Sequence, residues 1–198
     1  MDKLSYSLGV SVGQNVKKQG LIEINGDAVA QALEDVMAGQ TTLVSAAEAQ
    51  QNLQAYFSGL RENKDAGAKQ ASLDFLAANV NKEGITVTES GLQYEIMVEG
   101  DGPKPSATDK VKVHYHGTTP DGTVFDSSVD RGEPTVLALN QVIRGWTEAL
   151  LLMPTGSKWR LFIPQELAYG ASPRPGGPIK PYMALVFEVE LISIEAAE

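Results

Sequence analysis

All ten prolines of this 198-residue chain lie between Pro103 and Pro181, and none falls in the preceding 102 residues. Proline fixes φ and removes a backbone donor, so it is excluded from helix interiors and central strands. Its confinement to one stretch divides the chain into two regions of different backbone chemistry. Residues 1–83 are rich in Ala, Gln, Asn and Leu and suit helices, whereas residues 84–198 suit strands joined by turns. A hydrophobic content of 42% with 21% charged residues supplies material for packed cores and excludes disorder and collagen-like structure.

In the first region Leu4, Leu8, Val12 and Val16 recur every four residues and form one apolar helical face, with Gly9 and Gly13 beside it to admit a close neighbour. After Asn25-Gly26, Asp27 is expected to cap a second helix that turns Val29, Leu33, Val36 and Met37 inward and ends near Gly39. A third helix opens on Ser45-Ala46-Ala47-Glu48, a capping-box pattern. Its apolar stripe (Ala46, Ala49, Leu53, Tyr56, Phe57, Leu60) stops at a polar stretch from Arg61 to Gln70 and restarts at Leu73, Phe75, Leu76 and Val80. A long helix with a polar middle reads as a solvated stalk. Segments under about 60 residues bury too little surface alone. Residues 1–60 are therefore expected to dimerise, with residues 45–83 as an overlapping linker helix. The alternative is a compact bundle folded back on residues 84–198; the polar stalk favours the dimer.

In the second region, alternation marks strands at Leu92/Tyr94/Ile96/Val98, Val111/Val113/Tyr115, Trp159/Leu161/Ile163 and Leu185/Phe187/Val189/Leu191. Gly100-Asp101-Gly102-Pro103 and Pro120-Asp121-Gly122 mark turns. Between Gln141 and Met153 the period changes, and Val142, Ile143, Trp146, Leu150 and Met153 suit one short amphipathic helix. The expected class is α+β: an all-helical amino-terminal part, then an antiparallel sheet packed on a single helix.

Composition narrows the chemistry. The chain has no cysteine, which excludes disulfides, thiolate nucleophiles and Cys-ligated zinc. A net charge of −9, divided as −3 over residues 1–83 and −6 over residues 84–198, opposes general binding to nucleic acid or an anionic membrane surface. The opening twenty residues contain no apolar run of signal-peptide length, which points to the cytoplasm; removal of a leader would point instead to the periplasm. The two histidines, His114 and His116, share one strand face opposite Val113 and Tyr115, and no third metal ligand is evident. Neither a G-x-S-x-G elbow, a P-loop nor a dinucleotide fingerprint occurs. What remains is a set of aromatic and aliphatic residues near loops and strand ends, suited to an apolar ligand in a concave pocket and to chemistry that needs no nucleophile and no cofactor.

Five segments carry a family resemblance: Val113-His114-Tyr115-His116-Gly117, Asp121 through Ser128, Val142-Ile143-Arg144-Gly145-Trp146, Ala168-Tyr169-Gly170 and Leu185 through Leu191. In this order, across about 115 residues, they resemble the FKBP-type peptidyl-prolyl isomerases. The helical region is similar in architecture to the bacterial dimeric branch that includes the macrophage infectivity potentiator proteins. The resemblance implies an FKBP-like domain over 84–198 that acts on proline-containing unfolded clients and binds macrolides of the tacrolimus and rapamycin type.

Transferred residue by residue, the resemblance implies a catalytic pocket of Tyr115, Phe125, Asp126, Ile143, Trp146, Tyr169 and Phe187, with Val142, Ile179, Leu137 and Arg131 contributing to ligand binding. Trp146 would form the floor under the proline ring, and the Ile143 N–H and Tyr169 hydroxyl would donate hydrogen bonds to the bound chain. Asp126 would lie near the rotating bond, with Arg131 as its ion-pair partner. Where relatives carry a shorter Ile-Pro-Pro run, residues 171–183 instead include Arg174 and Lys180, a departure that bears on peptide preference. Rotation about an X-Pro bond faces a barrier of about 18–20 kcal/mol from lost amide resonance. The twisted amide is less polarised than the planar one, so a dry apolar site favours it without covalent chemistry. The competing class is a chaperone or scaffold that captures apolar proline-containing segments and isomerises them only incidentally.

Overall fold

The computed structural model describes residues 2–21 and 23–195. It divides into two compact units, Met1–Asn63 and Lys64–Glu198, with the boundary inside a continuous helix.

The first unit holds α1 (Lys3–Lys18), α2 (Gly26–Met37) and the opening of α3 (Ala46–Asn79). Each start is fixed by a side-chain cap. Asp2 accepts from the Leu4 and Ser5 amides, and Ser45 and Glu48 form the reciprocal box, with the Ser45 N–H donating to Glu48 at 2.8 Å and the Glu48 N–H to Ser45 at 3.2 Å. The cap of α2 differs from expectation: Asn25, not Asp27, accepts from the Ala28 amide at 3.0 Å, so the helix begins two residues earlier and Asp27 lies in its first turn. Neither α1 nor α2 has a fully buried residue; Leu4, Leu8, Leu33 and Met37 are all exposed.

The second unit contains the end of α3, seven strands and two short helices. The strands are β1 (Ile85–Val87), β2 (Gln93–Val98), β3 (Lys110–Thr118), β4 (Val124–Ser127), β5 (Thr135–Ala138), β6 (Lys158–Ile163) and β7 (Leu185–Glu195). Every pairing is antiparallel, in the order β1-β2-β6-β7-β3-β4, with β5 also paired to β3. β3 buries Val111, Val113, Tyr115 and Gly117 on one face, and β7 buries Leu185, Phe187, Val189 and Leu191, so both central strands show the alternation read from the sequence.

Two helices follow the strands that close the site, α4 (Ser128–Arg131) and α5 (Arg144–Leu152). The buried face of α5 consists of Gly145, Trp146, Ala149 and Leu150. Gly145 is required by closeness, because a β-carbon there would lie 2.5 Å from Ile163 Cγ2 on β6. Along α3 the residues from Arg61 to Gln70 are mostly solvated, but the next two turns pack on the sheet through Ser72, Phe75, Leu76 and Asn79, while Leu73 and Val80 stay exposed. Phe75 meets Phe162 at 6.2 Å, the buried Asn79 donates to Gln93 at 2.9 Å, and Gln93 donates to the Leu76 carbonyl. These contacts hold the helix end against the sheet through apolar packing and two side-chain hydrogen bonds, while the buried Asn79 Oδ1 has no protein partner among the described residues.

Candidate active site

A cavity of about 590 Å³ opens where the strands wrap around α5. That is the size of a small-ligand site. Tyr115 comes from β3, Phe125 and Asp126 from β4, Leu137 from β5 and Phe187 from β7. Val142 and Ile143 lead into α5, which supplies Trp146, while Tyr169 and Ile179 belong to the loop region between β6 and β7. The indole of Trp146 is 4% exposed and touches two walls edge-on: Tyr115 at 5.3 Å and 82°, and Phe187 at 5.2 Å and 83°. Phe125 and Phe187 meet at 5.3 Å and 85°. Such edge-to-face contacts favour fixed ring positions.

The polar groups are few and placed around that apolar interior. Tyr115 donates its hydroxyl proton to Asp126 at 2.6 Å, and Arg131 donates to Asp126 at 2.5 Å and to the Tyr115 oxygen at 2.9 Å. Burial pushes the Asp126 carboxyl up, but the bonds from Tyr115 and Arg131 outweigh it and hold the group below its ordinary value. Burial raises the Tyr115 phenol, and the carboxylate beside it adds to the shift, so the phenol remains a proton donor at neutral pH. Two donors stay available: among the described residues no protein acceptor takes the Ile143 N–H or the Tyr169 hydroxyl, and Tyr169 is 40% exposed.

The depressed Asp126 pKa makes stability depend on pH. Its contribution to stability is complete above the unfolded value, near 3.8, and is lost as the pH falls through the lower folded value. Urea unfolding at a series of pH values is expected to show Asp126→Asn less stable than the parent at pH 7, with the difference closing once the pH is taken well below 3.8.

The structure brings together ten of the expected residues in the cavity lining, and places Arg131 outside it as the partner of Asp126. Gln141, Arg174, Gly177 and Pro178 also line it. Gln141 and Pro178 are chain neighbours of expected residues, a signal that adjacency alone could have supplied. The histidines lie outside the cavity, where His114 meets the Ser128 hydroxyl at 3.1 Å and His116 the Ser127 hydroxyl at 2.9 Å.

An antiparallel sheet closed over one short helix, with an indole at the base of an aromatic cleft, is the arrangement that the resemblance to the prolyl isomerases implies. Residues 102–192 match the family model described as FKBP-type peptidyl-prolyl cis-trans isomerase, and residues 1–96 match that of the domain amino terminal to such isomerases. The chain belongs to the FKBP-type peptidyl-prolyl cis-trans isomerase family. It is similar to the outer membrane protein MIP of Legionella longbeachae, at 46% identity over 99% of this chain and 86% of that protein. It is likewise similar to the FKBP-type 22 kDa peptidyl-prolyl cis-trans isomerase of Escherichia coli K12, at 44% identity over 96% of this chain and 93% of that protein. The crystal structure of FkpA from Escherichia coli superposes with a TM-score of 0.76 at 34% identity, covering 99% of this chain and 97% of that one. The cytoplasmic expectation finds no support among these relatives, one of which is named an outer membrane protein. Among the described residues no helix is long and apolar enough to cross a membrane.

Proposed function

We propose that the Trp146 cleft isomerises X-Pro bonds in unfolded or partly folded protein chains, and that two copies of the protein act together through their helical units. The observation that carries the catalytic reading is the cleft itself: an apolar, aromatic-walled cavity with two unsatisfied donors, Ile143 N–H and Tyr169 hydroxyl, at its edge. A proline ring seated on Trp146 loses water, while the donors hold the flanking chain. The planar amide is the more polar form and loses more on entering such a site than the twisted one. That difference lowers the barrier. A thousandfold acceleration needs only about 4 kcal/mol of it. Asp126, its charge already engaged by Tyr115 and Arg131, contributes a fixed dipole rather than a proton acceptor. Macrolides of the tacrolimus and rapamycin type are expected to compete for the same cleft.

The exposed apolar faces of α1 and α2 support the dimer, since a second copy would bury Leu4, Leu8, Leu33 and Met37. Two linked clefts would raise avidity for a long client and add chaperone activity. The test compares the full chain with one shortened to residues 64–198, which keeps the α3 turns packed on the sheet. The short chain is expected to isomerise proline tetrapeptides as the full chain does, to be monomeric by light scattering, and to lose most of the acceleration of proline-limited refolding. Equal refolding by both chains would remove the dimer reading. Suppressed client aggregation without any peptide isomerisation would favour the holding scaffold.

A further inference from the structure

We propose that Arg174 makes the cleft select prolines flanked by an acidic side chain, an inference that rests on the prolyl-isomerase reading and specifies its substrate class. The second unit has four arginines, and three of them are engaged. Arg131 pairs with Asp126, Arg144 donates to the Glu166 carbonyl, and Arg160 bridges Glu95 and Glu188. Arg174 alone lines the cavity, and among the described residues it has neither an ion-pair nor a hydrogen-bond partner. A guanidinium presents five donors in a planar fork that matches a carboxylate.

The charge balance of the lining points the same way. Asp126 is the one acidic residue in it, and Arg131 neutralises that carboxylate from outside, so the uncompensated charge facing a ligand is positive. This holds although the whole chain carries −9. Residues 171–181 contain Arg174 and Lys180 but no acid. Lys180 faces a separate groove with Ala68, Ala71 and Pro181, which leaves Arg174 as the cation at the cleft.

The loop also restricts where that cation sits. Pro173, Pro175, Pro178 and Pro181 each fix a φ, and Pro175 disfavours helical backbone at Arg174 itself. A restrained backbone loses less entropy when the side chain pairs. A client residue next to proline lies only about 4 Å along the chain from it, within the span of a long side chain at the rim.

The experiment measures kcat/KM of the full-length protein on tetrapeptides with Glu, Gln or Lys on either side of proline, at low salt. The expected order is Glu above Gln above Lys at one flank at least, with a Glu-to-Lys ratio of about two- to fivefold, the size of an exposed ion pair. Arg174→Gln is expected to bring that ratio to about one, Arg174→Glu to invert it and Arg174→Lys to keep part of it. Raising salt to about 0.5 M is expected to shrink it in the parent. Because each ratio is taken within one variant, partial unfolding cancels. Equal rates on all three peptides, or a ratio that survives Arg174→Gln, would overturn the assignment while leaving the isomerase intact. Absence of isomerisation on every peptide would overturn the underlying reading and this inference with it.

Discussion

Replacing Trp146 by leucine is expected to lower kcat/KM on a proline peptide by about tenfold or more and to weaken macrolide binding in parallel. The indole is 4% exposed, forms the base of the cleft and meets both Tyr115 and Phe187 edge-on. Leucine keeps the site apolar but removes the flat surface and both edge contacts. Tenfold corresponds to about 1.4 kcal/mol of transition-state stabilisation, a modest share of what a thousandfold acceleration requires. Alanine is the poorer probe, because emptying a buried tryptophan site costs about 3–5 kcal/mol in stability. A domain with a total of about 5–15 kcal/mol has little to spare against that. Circular dichroism would confirm that the leucine variant is folded, and calorimetry would follow the macrolide without relying on the lost fluorophore. A folded Trp146→Leu protein with activity within twofold of the parent would place catalysis elsewhere.

The strands that pattern revealed are those long enough to repeat it. β3 and β7 place Val111, Val113 and Tyr115, and Leu185, Phe187, Val189 and Leu191, on one buried face over several periods. β1, β4 and β5 are three or four residues long, at most two periods, and owe their conformation to pairing with longer neighbours. The packed end of α3 was hidden for a different reason. Its buried positions include Ser72 and Asn79, polar residues that an apolar-stripe reading assigns to solvent. The buried Asn79 donates its side-chain N–H to the Gln93 side-chain oxygen, a partner 14 residues away that no local pattern reveals. The cap of α2 is ambiguous in the sequence because Asn25 and Asp27 are both good capping residues, and only backbone geometry chooses between them.

The cleft was legible for a reason other than physical pattern. Taken singly, Trp146, Tyr115 and Phe187 look like core, and by burial they are core. Only the ordered motifs identified them as one surface. Gln141, Gly177 and Pro178 also line the cleft and lie beside or between motif positions, whereas the sequence marks Arg174 as a departure in its loop without placing it in the cleft. Geometry supplies those three and places Arg174 in the lining, where among the described residues its side chain has no ion-pair or hydrogen-bond partner.

Adding a single methyl group at Gly117 is expected to damage the cleft from behind. Gly117 lies on β3, opposite Asp126 on β4 and Phe187 on β7. A β-carbon there would sit 2.8 Å from Phe125 and equally close to Phe187. Both rings must then move, and both are cleft walls, with Phe187 also supporting Trp146. Gly117→Ala should cost about 1–3 kcal/mol in stability, the range for overpacking a filled core. It should also reduce kcat/KM by more than about tenfold, since the displaced rings define the ligand's walls. The double variant Gly117→Ala with Phe125→Leu separates the two effects. Leucine withdraws the Phe125 ring atoms that clash and leaves room for Phe187 to shift, so the pair should be more stable than the sum of the single changes predicts, with a coupling within the usual 0.5–3 kcal/mol for residues in contact. Activity should not recover, because the Phe125 wall is gone. Recovery of both would mean that Phe125 only fills space beside Gly117, whereas recovery of stability alone would show that one set of ring contacts both holds this part of the sheet together and shapes the site.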